Sequence, residues 1–123
     1  MDREEAPLNK YNISEQAKEY RWQKFLNAEK NRRDKECLKK MLETPEGRWM
    51  YMRIMEISGY LSSSFTGNSA TYFKEGMRYV GIQLASMTVE RLGMKGVELK
   101  QKAEKENIEF QLKSRKYFEQ EDK

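Results

Sequence analysis

The sequence contains no histidine, a single cysteine and only two prolines among its 123 residues. Histidine is the commonest general base and the commonest metal ligand, so its absence disfavours an enzyme or a zinc protein. Cys37 cannot form an intramolecular disulfide, which fits a reducing compartment. The N-terminal residues lack a signal-peptide core, and no apolar run approaches the roughly 18 residues of a transmembrane segment. We therefore expect no enzymatic activity, no cofactor and no small-molecule ligand.

The remaining composition favours helices over strands. Charged residues make up 36% of the chain, yet aromatic residues at 11% and eight methionines supply enough bulk for one core. Glycine and proline are too sparse for the many turns of an all-β protein. The net charge is +4, with basic and acidic residues interleaved along the whole chain. Interleaved charges are typical of solvated helices and not of a one-sided nucleic-acid surface.

The pattern of apolar residues and helix caps predicts an all-α fold of about four helices. We expect a polar N-terminal arm over 1–11 and a charged amphipathic helix over 12–43. A compact core hairpin over 44–93 and a charged C-terminal helix over 94–123 follow. Asn12 and Glu15 have the spacing of a capping box at the start of the first helix.

The start of the predicted hairpin carries a strong helix-initiation signal. Thr44 is a favourable N-cap, Pro45 suits the first helical position, and Glu46 in the first turn complements the helix dipole. Gly59 is expected just after the C-terminus of this helix. The segment between them is apolar nearly all round, which predicts burial on most sides. Its apolar residues are Trp49, Met50, Tyr51, Met52, Ile54, Met55 and Ile57.

The third helix is predicted to begin at a cap formed by Asn68 or Ser69. Its apolar residues recur at steps of four and three, and we expect this stripe to enter the core. The stripe consists of Phe73, Met77, Val80, Leu84 and Met87, and it continues to Arg91. Gly76 and Gly81 are expected to allow the close approach of another helix, and Gly93 with Gly96 to end or bend this one.

Polar residues in the same region allow several interpretations. Glu75 and Arg78, three residues apart, are expected to pair and to fix local geometry if buried, with Arg48 as a candidate third member. The FTGNS segment precedes a helix but matches neither a phosphate-binding loop nor a dinucleotide fingerprint. A phosphate site is therefore disfavoured, and structure is favoured over chemistry.

The two terminal helices have only thin apolar stripes, so each needs a partner surface, either the chain's own core or another subunit. The bulky and basic residues expected on that candidate interaction surface are Trp22, Phe25, Arg32, Arg33, Phe110 and Tyr117. Aromatic and basic residues also alternate in YRWQKF and SRKYF, as in a platform for single-stranded nucleic acid. The matching acidic load disfavours that alternative.

The order of motifs in the middle of the chain resembles a family of small proteins from tailed, mostly short-tailed, bacteriophages, first delineated in a Bordetella phage. The resemblance covers about residues 38–90. Its first signature is Pro45, Glu46, Gly47 and Arg48. Further family-signature positions are Phe65, Gly67, Asn68, Phe73, Glu75, Gly76, Arg78 and Gly81.

This resemblance implies a non-enzymatic virion protein. Its expected partners are other virion proteins of the portal, the tail or the particle interior, and further copies of itself. It would be located in the virion, after assembly in the host cytoplasm. Family members often carry arginine where this chain has Met77, and the departure weakens any role for a doubled arginine in DNA contact. The alternative function is that of a small nucleic-acid-associated or regulatory phage protein.

Overall fold

The computed structural model describes the backbone of residues 10–122 and the side chains of residues 13–122. It contains four α-helices, which confirms the predicted all-α fold. They are α1 (Lys10–Glu43), α2 (Pro45–Ser58), α3 (Ala70–Leu92) and α4 (Met94–Glu121). Residues 1–9 of the predicted N-terminal arm lie outside the described residues. The prediction of Asn12 as N-cap is wrong, because Lys10 and Tyr11 before it already have helical backbone.

The chain divides into two compact units, Met1–Asp34 and Lys35–Lys123. The described part of the first unit is the N-terminal stretch of α1, in which most side chains from Ile13 onward are exposed. The second unit holds the end of α1 and all of α2, α3 and α4. Every buried residue among those described lies in this second unit.

Helix α2 begins and ends as its sequence predicts. The Thr44 hydroxyl oxygen accepts a hydrogen bond from the Gly47 N–H at 3.0 Å, and Pro45 occupies the first helical position. At the other end, Gly59 adopts the left-handed conformation with φ of 70°. The N–H of Gly59 donates to the Glu56 carbonyl and the N–H of Tyr60 to the Met55 carbonyl. These two bonds form a Schellman motif and satisfy carbonyls that the helix end would leave unpaired.

One hydrophobic core joins α2, α3 and α4 with the end of α1. Its buried members are Leu42, Tyr51, Met52, Met55, Ala85, Leu99 and Ala103. At its centre the Thr88 hydroxyl donates to the Leu84 carbonyl at 2.8 Å, so the Tyr51 hydroxyl donates to Thr88 Oγ1 at 2.9 Å. Burial raises the pKa of Tyr51, and the hydrogen bond to Thr88 opposes that rise. The first half of the C-terminal helix therefore packs on its own chain.

The predicted core stripe of α3 is wrong in part. Phe73 is 72% exposed and Val80 is 58% exposed, whereas Gly81, Ala85 and Thr88 are buried. The small residues allow α3 to approach its neighbours closely, so the bulkier stripe turns away from the packed face. Met77, Leu84, Met87 and Arg91 of that stripe are half-buried.

The expectation that α2 is buried nearly all round is also wrong. Tyr51, Met52 and Met55 are buried. The opposite side of the helix stays open, because α3 and α4 cover only one side of a helix 14 residues long. Its exposed apolar residues are Trp49, Met50, Ile54 and Ile57.

Some glycines lie where a side chain would clash with a neighbouring segment, and others lie where a side chain would have room. A Cβ at Gly81 would overlap Ser58 Oγ and lie 3.0 Å from Tyr60 Cβ, so this glycine permits the contact of α2 with α3. A Cβ at Gly96 would similarly overlap the Thr88 carbonyl oxygen, where α4 crosses α3. Nothing else in the described chain lies within 4 Å of a Cβ at Gly76, so none of its own helices packs closely there. Gly93, with φ of 62°, separates α3 from α4.

Candidate interaction surface

The buried arginine of the first signature holds three helices together. Arg48 is 5% exposed, and its Nε and Nη2 donate to the two carboxylate oxygens of Glu106 at 2.7 and 3.1 Å. Its Nη1 donates to the carbonyl oxygen of Leu42 at 3.0 Å. One guanidinium therefore links the end of α1, the start of α2 and the middle of α4. The two parallel bonds to Glu106 also fix the orientation of that carboxylate.

The hydrogen bonds from Arg48 hold the pKa of Glu106 below its ordinary value of 4.5. The predicted grouping of Arg48 with Glu75 and Arg78 is therefore wrong, because Arg48 is paired with Glu106. Glu75 and Arg78 form an exposed pair at 3.4 Å, too solvated to fix much of the fold. Nothing in the sequence pointed to Glu106, which lies 58 residues after Arg48 in a helix full of glutamates.

The other residues of the first signature explain its spacing. Gly47 has no room for a side chain, because a Cβ there would overlap the main-chain oxygen of Met41. Pro45 and Glu46 are exposed in the first turn of α2. These residues therefore form a tight connection between α1 and α2, which places the side chain of Arg48 in the interior.

Phe65, Gly67 and Asn68, three of the further family-signature positions, lie in the loop before α3. Gly67 has φ of 78°, a conformation that favours glycine. The side-chain oxygen of Asn68 accepts hydrogen bonds from the Ala70 N–H and from the Thr66 hydroxyl, each at 2.9 Å. Asn68 thus supplies the predicted capping bond of α3, whereas Ser69 makes none with its side chain. Phe65 in the same loop is 77% exposed.

A groove lies where the end of α2, the following loop and the start of α3 meet, and we name it the serine groove. Its volume is about 280 Å³, and Ile57, Phe73 and Met77 supply its apolar lining. The polar lining consists of Ser58, Gly59, Ser62, Ser63, Ser64, Lys74 and Arg78. Ser64 donates a hydrogen bond to Glu75, the partner of Arg78. Among the described residues, no ion pair involves Lys74.

A larger groove of about 670 Å³ runs between α2 and α4. Met52, Met55 and Ile108 contribute to its lining, together with Leu61 from the loop. Its nearby charges are already paired, since Lys100 lies 3.1 Å from Glu104 and also faces the Tyr60 ring. This groove can accept an apolar group, but it has no unpaired charge that would favour a partner of opposite charge.

The second half of α4 makes little contact with its own chain. Phe110 packs edge-on against Trp49 with ring centroids 4.7 Å apart. Every side chain from Glu109 to Asp122 is nevertheless exposed, including Tyr117 and Phe118 at 65% and 64%. We name residues 109–122 the tail of α4.

The predicted interaction residues in the first unit are also exposed. Trp22 and Phe25 are 51% and 59% exposed, and their rings stack at 6.1 Å. Arg32 pairs with Glu29 at 2.9 Å, and Arg33 is exposed. These residues share one helix and form a surface with no chemistry beyond apolar contact and positive charge.

Comparison with known proteins gives no identification. No protein-family model, curated protein sequence or solved structure matches this chain. Over the described residues, no three or more cysteine and carboxylate side chains are grouped as a metal site would require. The helices within residues 10–122 are too short or too polar to cross a membrane.

Proposed function

We propose that this chain is a non-enzymatic structural component of a bacteriophage virion, which docks on a portal or tail assembly or is carried inside the particle. The observation that best supports this proposal is that many bulky apolar side chains outside the core are exposed to solvent. Phe65, Phe73, Ile57 and Tyr117 are each more than 60% exposed. Ile57 and Phe73 line one groove, and exposed apolar side chains that lie together mark contact sites.

The geometry supports assembly in preference to catalysis. The buried ionic contact at Arg48 is saturated by Glu106 and Leu42, and it serves to hold helices together. The grooves are lined by apolar side chains, serine hydroxyls and side-chain amides, together with the charged residues Glu56, Lys74, Arg78, Lys100 and Glu104. A rigid helical unit with open apolar faces suits a subunit that gains stability from its neighbours. The resemblance of residues 38–90 is the reason for proposing a phage particle as that assembly.

Mass spectrometry of purified particles tests the proposal. Peptides of this chain should be present in particles of the phage that encodes it, at a constant ratio to the major capsid protein. The chain should remain after density-gradient purification and nuclease treatment. Its absence from particles, together with abundance in infected cells, would refute the virion assignment.

The alternative is a nucleic-acid-associated protein, and the stacked pair Trp22 and Phe25 next to Arg21 and Lys24 favours it. Bases could stack on such rings while the cations contact phosphates. Binding of single-stranded DNA should then weaken steeply as salt concentration rises, since each phosphate contact releases a counterion. Absence of binding at about 50 mM salt would remove this alternative.

A further inference from the structure

The serine groove and the tail of α4 are complementary in chemistry. The groove offers an apolar floor, serine hydroxyls and the ammonium of Lys74. The tail offers two exposed aromatic rings, Tyr117 and Phe118, followed by the carboxylates of Glu121 and Asp122. We infer that the tail of α4 from one copy of the chain docks in the serine groove of a second copy.

The charge at the end of the tail is unusual for a helix. A helix C-terminus carries partial negative charge, and basic residues there are stabilising. The last turn of α4 holds no basic residue, although Glu121 and Asp122 are present. Glu119 is already paired with Arg115 at 3.1 Å. Lys123, the next residue, lies outside the described residues. The carboxylates of Glu121 and Asp122 can pair with a cation of another molecule.

The groove supplies such a cation. Lys74 has no ion-pair partner among residues 10–122, whereas the charge of Arg78 is shared with Glu75 at 3.4 Å. Lys74 and Phe73 both line this groove, and the exposed ring of Phe73 can pack on Tyr117 or Phe118. Apolar contact and charge would therefore act in the same groove.

The tail of a chain cannot fill the groove of the same chain. Contacts between α2 and α4 run in opposite order: Tyr60 meets Lys100, whereas Arg48 meets Glu106 and Trp49 meets Phe110. The groove adjoins the Tyr60 end of α2, and α4 leads away from it. At 1.5 Å per residue, Asp122 lies about 33 Å farther along the helix axis than Lys100. The occupant must therefore come from another molecule.

A contact between opposite ends of two copies is heterologous, so it generates a ring if the rotation closes and a filament if it does not. The inference deepens the assembly role proposed above and rests on it for its biological meaning. The docking and the virion assignment can be refuted independently of each other. Presence in particles with no self-association refutes only the docking, and self-association with absence from particles refutes only the virion assignment.

Sedimentation velocity of the purified full chain tests the docking at concentrations up to about 1 mM. The parent should form oligomers that grow with concentration. Oligomerisation should weaken as salt rises from about 0.01 M to 0.15 M, which shortens the Debye length from about 30 Å to about 8 Å. A parent that stays monomeric under all these conditions, whether or not it binds single-stranded DNA, would overturn the inference.

Charge reversal on each side locates the contact. Lys74→Glu and the double change Glu121→Lys with Asp122→Lys should each reduce association at least tenfold, since like charges would then meet. Mixing the two variants should restore association, because each tail then faces a groove of opposite charge. Circular dichroism should show parental helicity in both variants. Lys35→Glu with Lys39→Glu, on the exposed side of α1, is the matched control and should associate like the parent. Failure of the mixture to recover, or equal loss in the control, would contradict the docking.

Discussion

The two halves of α4 have similar sequences and different environments. Both contain lysines, glutamates and a few apolar residues. In the first half, Leu99 and Ala103 are buried against α2 and α3, and Glu106 binds Arg48. In the second half, Tyr117 lies on the same face of the helix, about five turns after Leu99, and is 65% exposed, as is Leu112 on another face. The helix pattern alone therefore does not determine burial, which depends on whether a neighbouring surface reaches that part of the helix.

Truncating a leucine in each half gives the largest contrast. Leu99→Ala should lower the free energy of unfolding by about 3 kcal/mol, because it leaves a cavity at a residue that is 6% exposed. Leu112→Ala should change it by less than about 0.5 kcal/mol in dilute solution. Urea titration of both variants measures the difference. Equal losses at the two positions would mean that the second half is packed in the isolated chain.

A pair of glycine substitutions in α3 likewise compares a packed position with an open one. Gly81→Ala should destabilise the protein by about 1–3 kcal/mol, because the new methyl group overlaps the Ser58 hydroxyl and crowds Tyr60. Gly76→Ala should stabilise it by about 0.8–1 kcal/mol, since the position is helical and open. Thermal unfolding should show shifts of opposite sign. A loss of stability at position 76 would place an unexpected neighbour against that surface.

The ion pair of the packed half should have a distinctive pH dependence. Since the folded-state pKa of Glu106 lies below 4.5, the carboxylate contributes stability above that value. The contribution is lost as pH falls through the lower folded-state pKa. The unfolding free energy of the parent should thus exceed that of Glu106→Gln by a constant amount above about pH 6, and the difference should shrink below about pH 4.5.

Glu109→Gln, three residues along the same helix, is the control for that titration. Its side chain is exposed, so the substitution should leave the pH profile of stability close to that of the parent. A pH-independent difference between the parent and Glu106→Gln would show that the pair with Arg48 contributes nothing ionic to the fold.

The local features were predictable from sequence because their causes are local. Thr44, Pro45 and Gly59 act on neighbouring backbone groups, and the sequence carries all of that information. Arg48 is one of the signature residues. Its partner Glu106 was not predicted, because the hydrogen bonds between them depend on how α4 lies across α2. The prediction of the α3 stripe was wrong for a related reason. Because Gly81 and Ala85 allow close approach, the face of α3 with small residues packs in the core and the face with bulky residues does not.

Trp22, Phe25 and Tyr117 are exposed, and their part in an interaction surface stays a prediction. The sequence did not predict the serine groove. The groove forms from the end of α2, a serine-rich loop and the start of α3, three segments whose side chains meet only in the folded chain. No spacing rule connects Ile57 with Phe73 and Lys74.

Amide hydrogen exchange along α4, compared at low and high protein concentration, tests the central claim most directly. Residues 94–107 should be protected at both concentrations, because they pack on their own chain. Residues 109–122 should exchange rapidly in dilute solution and become protected when the protein is concentrated, as a second copy covers the tail. Equal exchange of the tail at the two concentrations, whether fast or slow, would contradict the claim that this half of α4 is an assembly surface.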